Sequence, residues 1–300
     1  MSEPRPAAPA PEFLTTREVA GYLRVKERRV YELVRQGAIP CTRVTGKWLF
    51  PKALIDLWLA ENAAGEAAAM PPPVIAGSHD PLFEWAVKES GCGLALLPGG
   101  SLDGIARIAS GEAMLAGLHL LDGDSGEFNV PAVRASLPGP GLVLLEWAVR
   151  QQGLVLGPGN PHGIRGVRDL AGGVVRVMRR QREAGSHLLL AHVLARAGLA
   201  ADDLRYADAT ARGETDLGLA ILEGRADAGL AIEAVARSLK LEFLPLLRER
   251  YDLLMRRRDY FGAPVQRLFA FARGEAFAAR AAQMGGYDVS GFGAVRYNGP

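Results

Sequence analysis

The run ENAAGEAAAMPPP, from Glu61 to Pro73, most limits how this chain can fold. Its small residues read as the frayed end of a helix, and the three prolines that follow make a semi-rigid spacer, because proline lacks the N–H that a helix or sheet ladder needs. The chain therefore divides there. Residues 13–60 read as one domain, 61–73 as a linker and 74–300 as a second domain. Ahead of the first, MSEPRPAAPAPEF mixes acidic residues with Pro and Ala, which suits a disordered arm and not a secretory signal.

Positive charge falls on one side of the division. Between Phe13 and Ala60 nine Lys/Arg face four Asp/Glu, a local +5 in a chain of 300 residues whose total is +2, so the remainder carries −3. Thr15 and Glu18 have the spacing of a capping box and predict a helix start. Val19, Ala20 and Leu23, then Val30, Leu33 and Val34, repeat one apolar face on two segments separated at Arg24-Val25-Lys26, and Gly37 and Pro40 stop the second. CTRVTGKWLF alternates about Thr45-Gly46, as two strands of a hairpin wing do. Pro51 suits the first turn of a third helix, with Leu54, Leu57 and Trp58 over the small core.

Lys26, Arg28, Arg29 and Arg35 lie outward on the second helix, and Arg43 and Lys47 on the wing. Long cations on a helix that fits a major groove can pair with phosphates and guanine edges, the chemistry that recognition of double-stranded DNA requires. A charged helix face alone is an ordinary solvated surface; the order of capped helix, turn, basic helix, wing and helix favours DNA contact. Over residues 14–59, TTREVAGYL, VYELVRQGAIP and GKWLFPKALIDLWL make the segment similar to the excisionase-like branch of the MerR-type winged helix-turn-helix family. Lys26 departs from that family, which has a small capping hydroxyl there. A lysine cannot cap and its charge opposes the helix start, but it can hold a phosphate.

Beyond the linker, strand-like runs such as VIA, GLALL, LVLG and VVRVM alternate with helical ones, the pattern of an α/β domain. IASGEAMLAGLHL from Ile108 and ILEGRADAGLAI from Ile221 share one plan of helix end, Gly stop and apolar strand, which corresponding parts of two lobes around a cleft would show. Such connections also recur in any α/β protein. Three turns combine glycines with polar side chains at a helix start: Gly77, Ser78 and His79 before Asp80-Pro81; Gly99, Gly100 and Ser101; and Arg180, Gln181 and Arg182 before Gly185 and Ser186. Backbone N–H groups and hydroxyls there can hold an anion.

The strings AGSHDP, AGLHLLD, FNVP, QQGLVLGPGNPHGIRGVRDL, GRADAGL, ERYDLL and GGYD make this region resemble the periplasmic-binding-protein-like domain of cytoplasmic regulators and molybdopterin-synthesis fusions. The resemblance implies a bilobal type II solute-binding fold. It implies a small anionic ligand, molybdate or tungstate or a molecule related to molybdenum cofactor, held by Ser78, His79, Ser101, His119, Arg180, Gln181 and Ser186. Asp227 and Tyr251 would support them. Where the family continues Arg-Gln-Arg with Gly-Ser-Gly-Thr, this chain has Glu183-Ala184-Gly185-Ser186. If Glu183 turned inward it would repel a dianion and favour a zwitterion or larger organic ligand.

Cys41 and Cys92 have neither disulfide nor zinc spacing, and no metal site or resident cofactor is expected. His79 beside Asp80 and His119 near Asp122 could suggest metal or acid-base chemistry, but no serine elbow or phosphate loop accompanies them, so no enzyme is expected. No apolar run is long enough for a membrane span, so a cytoplasmic, non-membrane protein is expected. The expected function is that of a one-component transcription regulator, a homodimer on DNA, whose second domain senses a small ligand. The alternatives are a molybdenum-cofactor assembly or oxyanion-buffering protein with a docking helical domain, a sensor of an organic ligand, and an architectural DNA-binding factor.

Overall fold

A computed structural model describes residues 12–43, 46–61, 70–137 and 141–299. The expected N-terminal arm, the wing's Val44 and Thr45 and most of the linker thus lie outside the described residues. The chain forms two units, Met1–Ala69 and Met70–Pro300.

In the first unit β1 (Phe13–Thr15) leads into α1 (Thr16–Tyr22), and Thr15 and Glu18 cap it reciprocally, as their spacing predicts. α2 (Glu27–Arg35) follows, and Gly37, at φ +62°, provides the left-handed turn that ends it. β2 (Leu49–Pro51) and α3 (Lys52–Glu61) come next. Leu14, Val19, Val30, Phe50 and Ile55 gather in one core.

Two expectations are corrected here. Among the described residues the wing contributes a single antiparallel bridge, Thr42 to Leu49, while β2 pairs with β1 and sets Phe50 against Leu14. Burying that apolar pair outweighs lengthening a solvent-facing hairpin. The third helix starts at Lys52, one residue after Pro51, and buries Ile55 while Leu54 stays 47% exposed. Trp58, three residues from Ile55, packs at the core's edge. The side chain of Leu57 lies outside the described residues.

The second unit begins with β3 (Val74–Gly77), α4 (Pro81–Ser90), β4 (Ala95–Leu96), α5 (Ser101–Ser110), β5 (Leu115–Leu118) and α6 (Val130–Ser136). The 15-residue β6 (Leu142–Leu156) leads to a second lobe of β7 (Arg176–Arg180), α7 (Gly185–Arg196), β8 (Arg205–Ala211), α8 (Glu214–Leu222), β9 (Ala228–Ile232) and α9 (Glu233–Ser238). The 15-residue β10 (Glu242–Arg256) returns. α10 (Arg257–Tyr260), α11 (Ala263–Ala272), α12 (Glu275–Met284), β11 (Tyr287–Asp288) and β12 (Val295–Asn298) close the chain.

The strand order β4-β3-β5-β10-β6-β9-β7-β8 reads alike from both ends. β3 and β7 each pair in parallel with two neighbours, and β5 and β9 then meet the long strands β10 and β6 antiparallel. IASGEAMLAGLHL and ILEGRADAGLAI occupy equivalent steps, α5 to β5 and α8 to β9, so the two lobes repeat one pattern. Alternation along the strands makes a core on each face of the sheet: Ile75, Leu145 and Leu253 enter one, Ala76, Leu144 and Leu254 the other. Leu154 and Val155 divide the second lobe in the same way.

Candidate ligand cleft and candidate DNA interface

β6 and β10 pass together from lobe to lobe, with Glu249 opposite Arg150 in register and a bulge between Tyr251 and Asp252. An arginine inside a strand that is otherwise nearly all buried must find partners there. Arg150 pairs with Glu249 and, at 2.9 Å, with Asp80. Burial alone would depress the guanidinium, but Glu249, Asp80 and Glu214 together hold it well above its usual value. Burial likewise pushes Glu249 upward, and Arg150 and His119 reverse this, bringing its carboxyl down to about 2. Tyr287 donates to Asp80 at 2.7 Å, and the Tyr251 ring lies 4.5 Å from the Arg150 guanidinium.

Around this hinge stand the turns singled out from sequence. Asp80 caps α4 by accepting from the Phe83 N–H at 2.7 Å, with Pro81 at the first helical position. Ser78 and Ser101 share a hydrogen bond of 2.8 Å, and Ser101 also accepts the His119 N–H at 3.1 Å. One proton serves the pair, so the other hydroxyl proton remains to meet a ligand. His119 donates from Nδ1 to Glu249 at 2.9 Å, since an ionised carboxylate can only accept. The second lobe comes up against these residues. Leu102 donates its N–H to the Glu183 carbonyl at 3.2 Å, and a Cβ on Gly185 would lie 2.6 Å from the His119 carbonyl. Gly100, at φ +108°, is equally tight: a Cβ there would lie 2.6 Å from the Glu183 carbonyl.

Several buried polar atoms here have no hydrogen-bond partner among the described residues: Ser186 Oγ, Arg180 Nη1, Gln152 Oε1, Arg150 Nε and His79 Nδ1. Orphaned polar atoms in such number are costly unless something binds them. Arg180 approaches Glu214 at 3.7 Å, too far for a hydrogen bond. Glu214 begins α8 as Ser101 begins α5, and each accepts an N–H from the adjoining strand's end, Glu214 from Ile232 at 2.8 Å. The buried charges around the cleft thus comprise Arg150 and Arg180 against Asp80, Glu214 and Glu249, whereas Glu146, Asp252 and Asp259 are buried elsewhere in the unit.

Sequence reasoning did not find Arg150, Gln152, Glu214 or Glu249. The available signal was a charged or amide group inside a run of residues that must be buried. Of the expected residues, Ser78, Gly100, Ser101, His119, Arg180, Gly185 and Ser186 come together. Tyr251 is a support, with its hydroxyl given to the Ser78 carbonyl at 2.5 Å. His79 pairs with Glu84 at 2.9 Å and sets Nδ1 beside Gly213 of the second lobe. Gln181 reaches the Arg212 carbonyl at 3.0 Å, Arg182 is exposed, and Glu183 offers the cleft its carbonyl while its side chain is exposed. Asp227 is a correction: it precedes β9, at the end opposite to the cleft, and binds Arg176 at 2.7 Å.

In the first unit α2 presents Lys26, Arg28, Arg29 and Arg35 to solvent, with Arg43 and Lys47 exposed near the wing. Lys26 forms no side-chain cap, as its chemistry dictates. Arg28 and Arg29 share Glu32, at 3.3 and 3.1 Å. Exposed pairs of this kind contribute little and can be exchanged for phosphate. Arg43 lies over the Trp48 ring at 5.4 Å. No helix among the described residues is long and apolar enough to cross a membrane, and no three of their His, Cys, Asp and Glu gather as a metal-holding group.

Residues 84–273 match the family model described as the PBP superfamily domain, and residues 13–63 match a helix-turn-helix domain model. The uncharacterized protein YvgK of Bacillus subtilis (strain 168) is 28% identical over 267 residues, covering 82% of this chain and 85% of its own. Among solved structures, the sulfate-binding protein SubI from Mycobacterium tuberculosis H37Rv superposes with a TM-score of 0.52 at 16% identity, over 72% of this chain and 86% of that one. A putative phosphate ABC transporter substrate-binding protein with bound phosphate from Clostridium perfringens gives 0.48 at 14% identity, over 70% and 96%.

Proposed function

The chain belongs to the PBP superfamily and carries a helix-turn-helix domain ahead of that fold, and from this premise we propose that it is a one-component transcription regulator, binding DNA through α2 and a small anionic ligand between its lobes. The observation that carries the reading is Ser186, whose hydroxyl is buried without a partner among the described residues where the start of α7 meets Ser101 and His119. Hydroxyls and helix-start N–H groups are the donors suited to a tetrahedral oxyanion. Molybdate and tungstate are the ligands proposed first. Regulation would follow from linkage, the ligand altering DNA affinity only as far as it prefers one arrangement of the protein. A homodimer on paired half-sites would supply the base contacts that one small domain lacks.

A sensor of an organic ligand is favoured by a separate observation, the three carboxylates set against two guanidinium groups. That balance gives a bare dianion little net attraction, whereas Gln152 Oε1 asks for a donor. Calorimetric titration of the full chain with molybdate, tungstate and sulfate, followed by DNA binding at several salt concentrations with and without the bound species, tests both. Saturable molybdate or tungstate binding that changes DNA affinity supports the regulator with an oxyanion ligand. Salt-dependent DNA binding with no oxyanion response leaves the organic ligand. Absence of DNA binding removes the regulator and restores the cofactor-assembly reading.

A further inference from the structure

Beside the cleft, where β7 ends, lies a recess of about 610 Å³ lined by Arg179, Arg180, Arg182, His187, Asp202 and Tyr206. Its size is that of a pocket for an organic molecule, within the usual range of roughly 300–1,000 Å³. Its charge differs from that of the cleft: besides Arg180, which the two share, Arg179 and Arg182 face one carboxylate here, whereas carboxylates outnumber guanidinium groups there. Arg179 is already ordered, its guanidinium 4.2 Å from the Tyr206 ring centre, so little side-chain freedom is lost when it takes a ligand. Arg180 also lines the recess, but it is buried and directs Nη1 at Glu214 of the cleft, 3.7 Å away. Leu190 and Leu204, both buried, add an apolar wall.

We propose that this recess is a second anion site, outside the serine cleft, for a phosphate monoester whose phosphate meets Arg179 and Arg182 and whose apolar or aromatic body lies toward Tyr206, Leu190 and Leu204. Guanidinium groups bind phosphate oxygens in pairs, and several converging ones select a dianion over a monoanion. The proposal stands apart from the identity of the cleft ligand, because the cleft's distinguishing donors, Ser78, Ser101 and Ser186, do not line the recess.

Phenyl phosphate is the probe, titrated calorimetrically into the full chain, with benzenesulfonate as the monoanionic control and molybdate for the cleft. Saturable phenyl phosphate binding is expected, tighter than benzenesulfonate and weakened about tenfold or more by Arg179→Ala or Arg182→Ala. Ser186→Ala should leave it unchanged, and Arg179→Ala should leave molybdate binding unchanged. No saturable phenyl phosphate binding, or binding lost in Ser186→Ala and kept in Arg179→Ala, overturns the recess. A failure of molybdate alone, with phenyl phosphate behaving as stated, overturns the oxyanion reading of the cleft and leaves the recess standing.

Discussion

Glu249 stands directly opposite Arg150 on the two strands that pass between the lobes, and neither side chain reaches solvent. The pair also anchors both neighbouring groups of the cleft, His119 through Glu249 and Asp80 through Arg150. Removing one member leaves the other buried without full compensation. Glu249→Gln is therefore expected to destabilise the fold by about 3–5 kcal/mol, the usual cost of breaking a buried pair. Guanidinium chloride unfolding of the second unit's transition measures it, and a loss below about 1 kcal/mol would show that Asp80 alone satisfies Arg150.

Ser186→Ala separates a structural hydroxyl from a ligand-binding one. Because Ser186 Oγ has no partner among the described residues, its removal should not lower the stability of the unliganded chain, and relief of its desolvation can raise it. Ligand affinity should fall by roughly tenfold, the worth of one good hydrogen bond. Thermal unfolding and calorimetry on the same variant decide: a destabilised protein with unaltered affinity would place the hydroxyl in the fold and not in the site.

Gly100→Ala tests closure of the lobes. The added methyl would meet the Glu183 carbonyl at 2.6 Å, and φ +108° already disfavours any side chain. Relief requires the α5 start and the α7 start to part. The variant should bind ligand more weakly and scatter X-rays as a slightly more extended second unit in saturating ligand. Identical affinity and dimensions would mean that the Gly100–Glu183 approach plays no part in binding.

The helical face of the first unit and the repeated helix-Gly-strand steps of the second were legible because each depends on spacing within one segment. The capping box at Thr15 and Glu18 and the Asp80-Pro81 helix start are local in the same sense, and both form. Glu214, Glu249 and Arg150 were not legible, because what makes them part of the cleft is proximity to charges 34 or more residues away along the chain. The same holds for β1 with β2: Leu14 and Phe50 meet only through tertiary burial, which no hairpin pattern in CTRVTGKWLF could reveal. Asp227 was misplaced for another reason: it rested only on the resemblance carried by GRADAGL, and that string does not tell which end of β9 meets the cleft.

Arg28→Ala with Arg29→Ala should abolish specific DNA binding while leaving ligand binding intact, since α2 belongs to a unit separate from the cleft. Their Glu32 partner lies on the same exposed helix, so little stability is at stake. Residual nonspecific binding should show a shallower salt dependence, by about one unit of slope for each phosphate that is no longer neutralised. Fluorescence anisotropy with a labelled duplex reads both effects. Unchanged affinity and slope would move the DNA interface elsewhere.

Asp252 sets the pH dependence of the second unit in a direction unusual for an aspartate. Burial raises its carboxyl from 3.8 to about 6, with Arg250 and Asn129 opposing only in part. A raised folded value means that the folded chain holds the proton more tightly than the unfolded chain. The stabilisation is therefore full below about pH 4 and is lost as pH rises through 6, by on the order of 3 kcal/mol. Glu249 has the opposite sign: lowered from 4.5 to about 2, it stabilises above its unfolded value and stops doing so as pH falls through 2. Their windows scarcely overlap, so Asp252 governs the range from about pH 4 to 6. Asp252→Asn should flatten that range, because its amide keeps an oxygen for Asn129 and carries no charge to desolvate. Urea unfolding at pH 4, 5 and 6 measures it, and an equal slope in the parent and the variant would assign the dependence to another group.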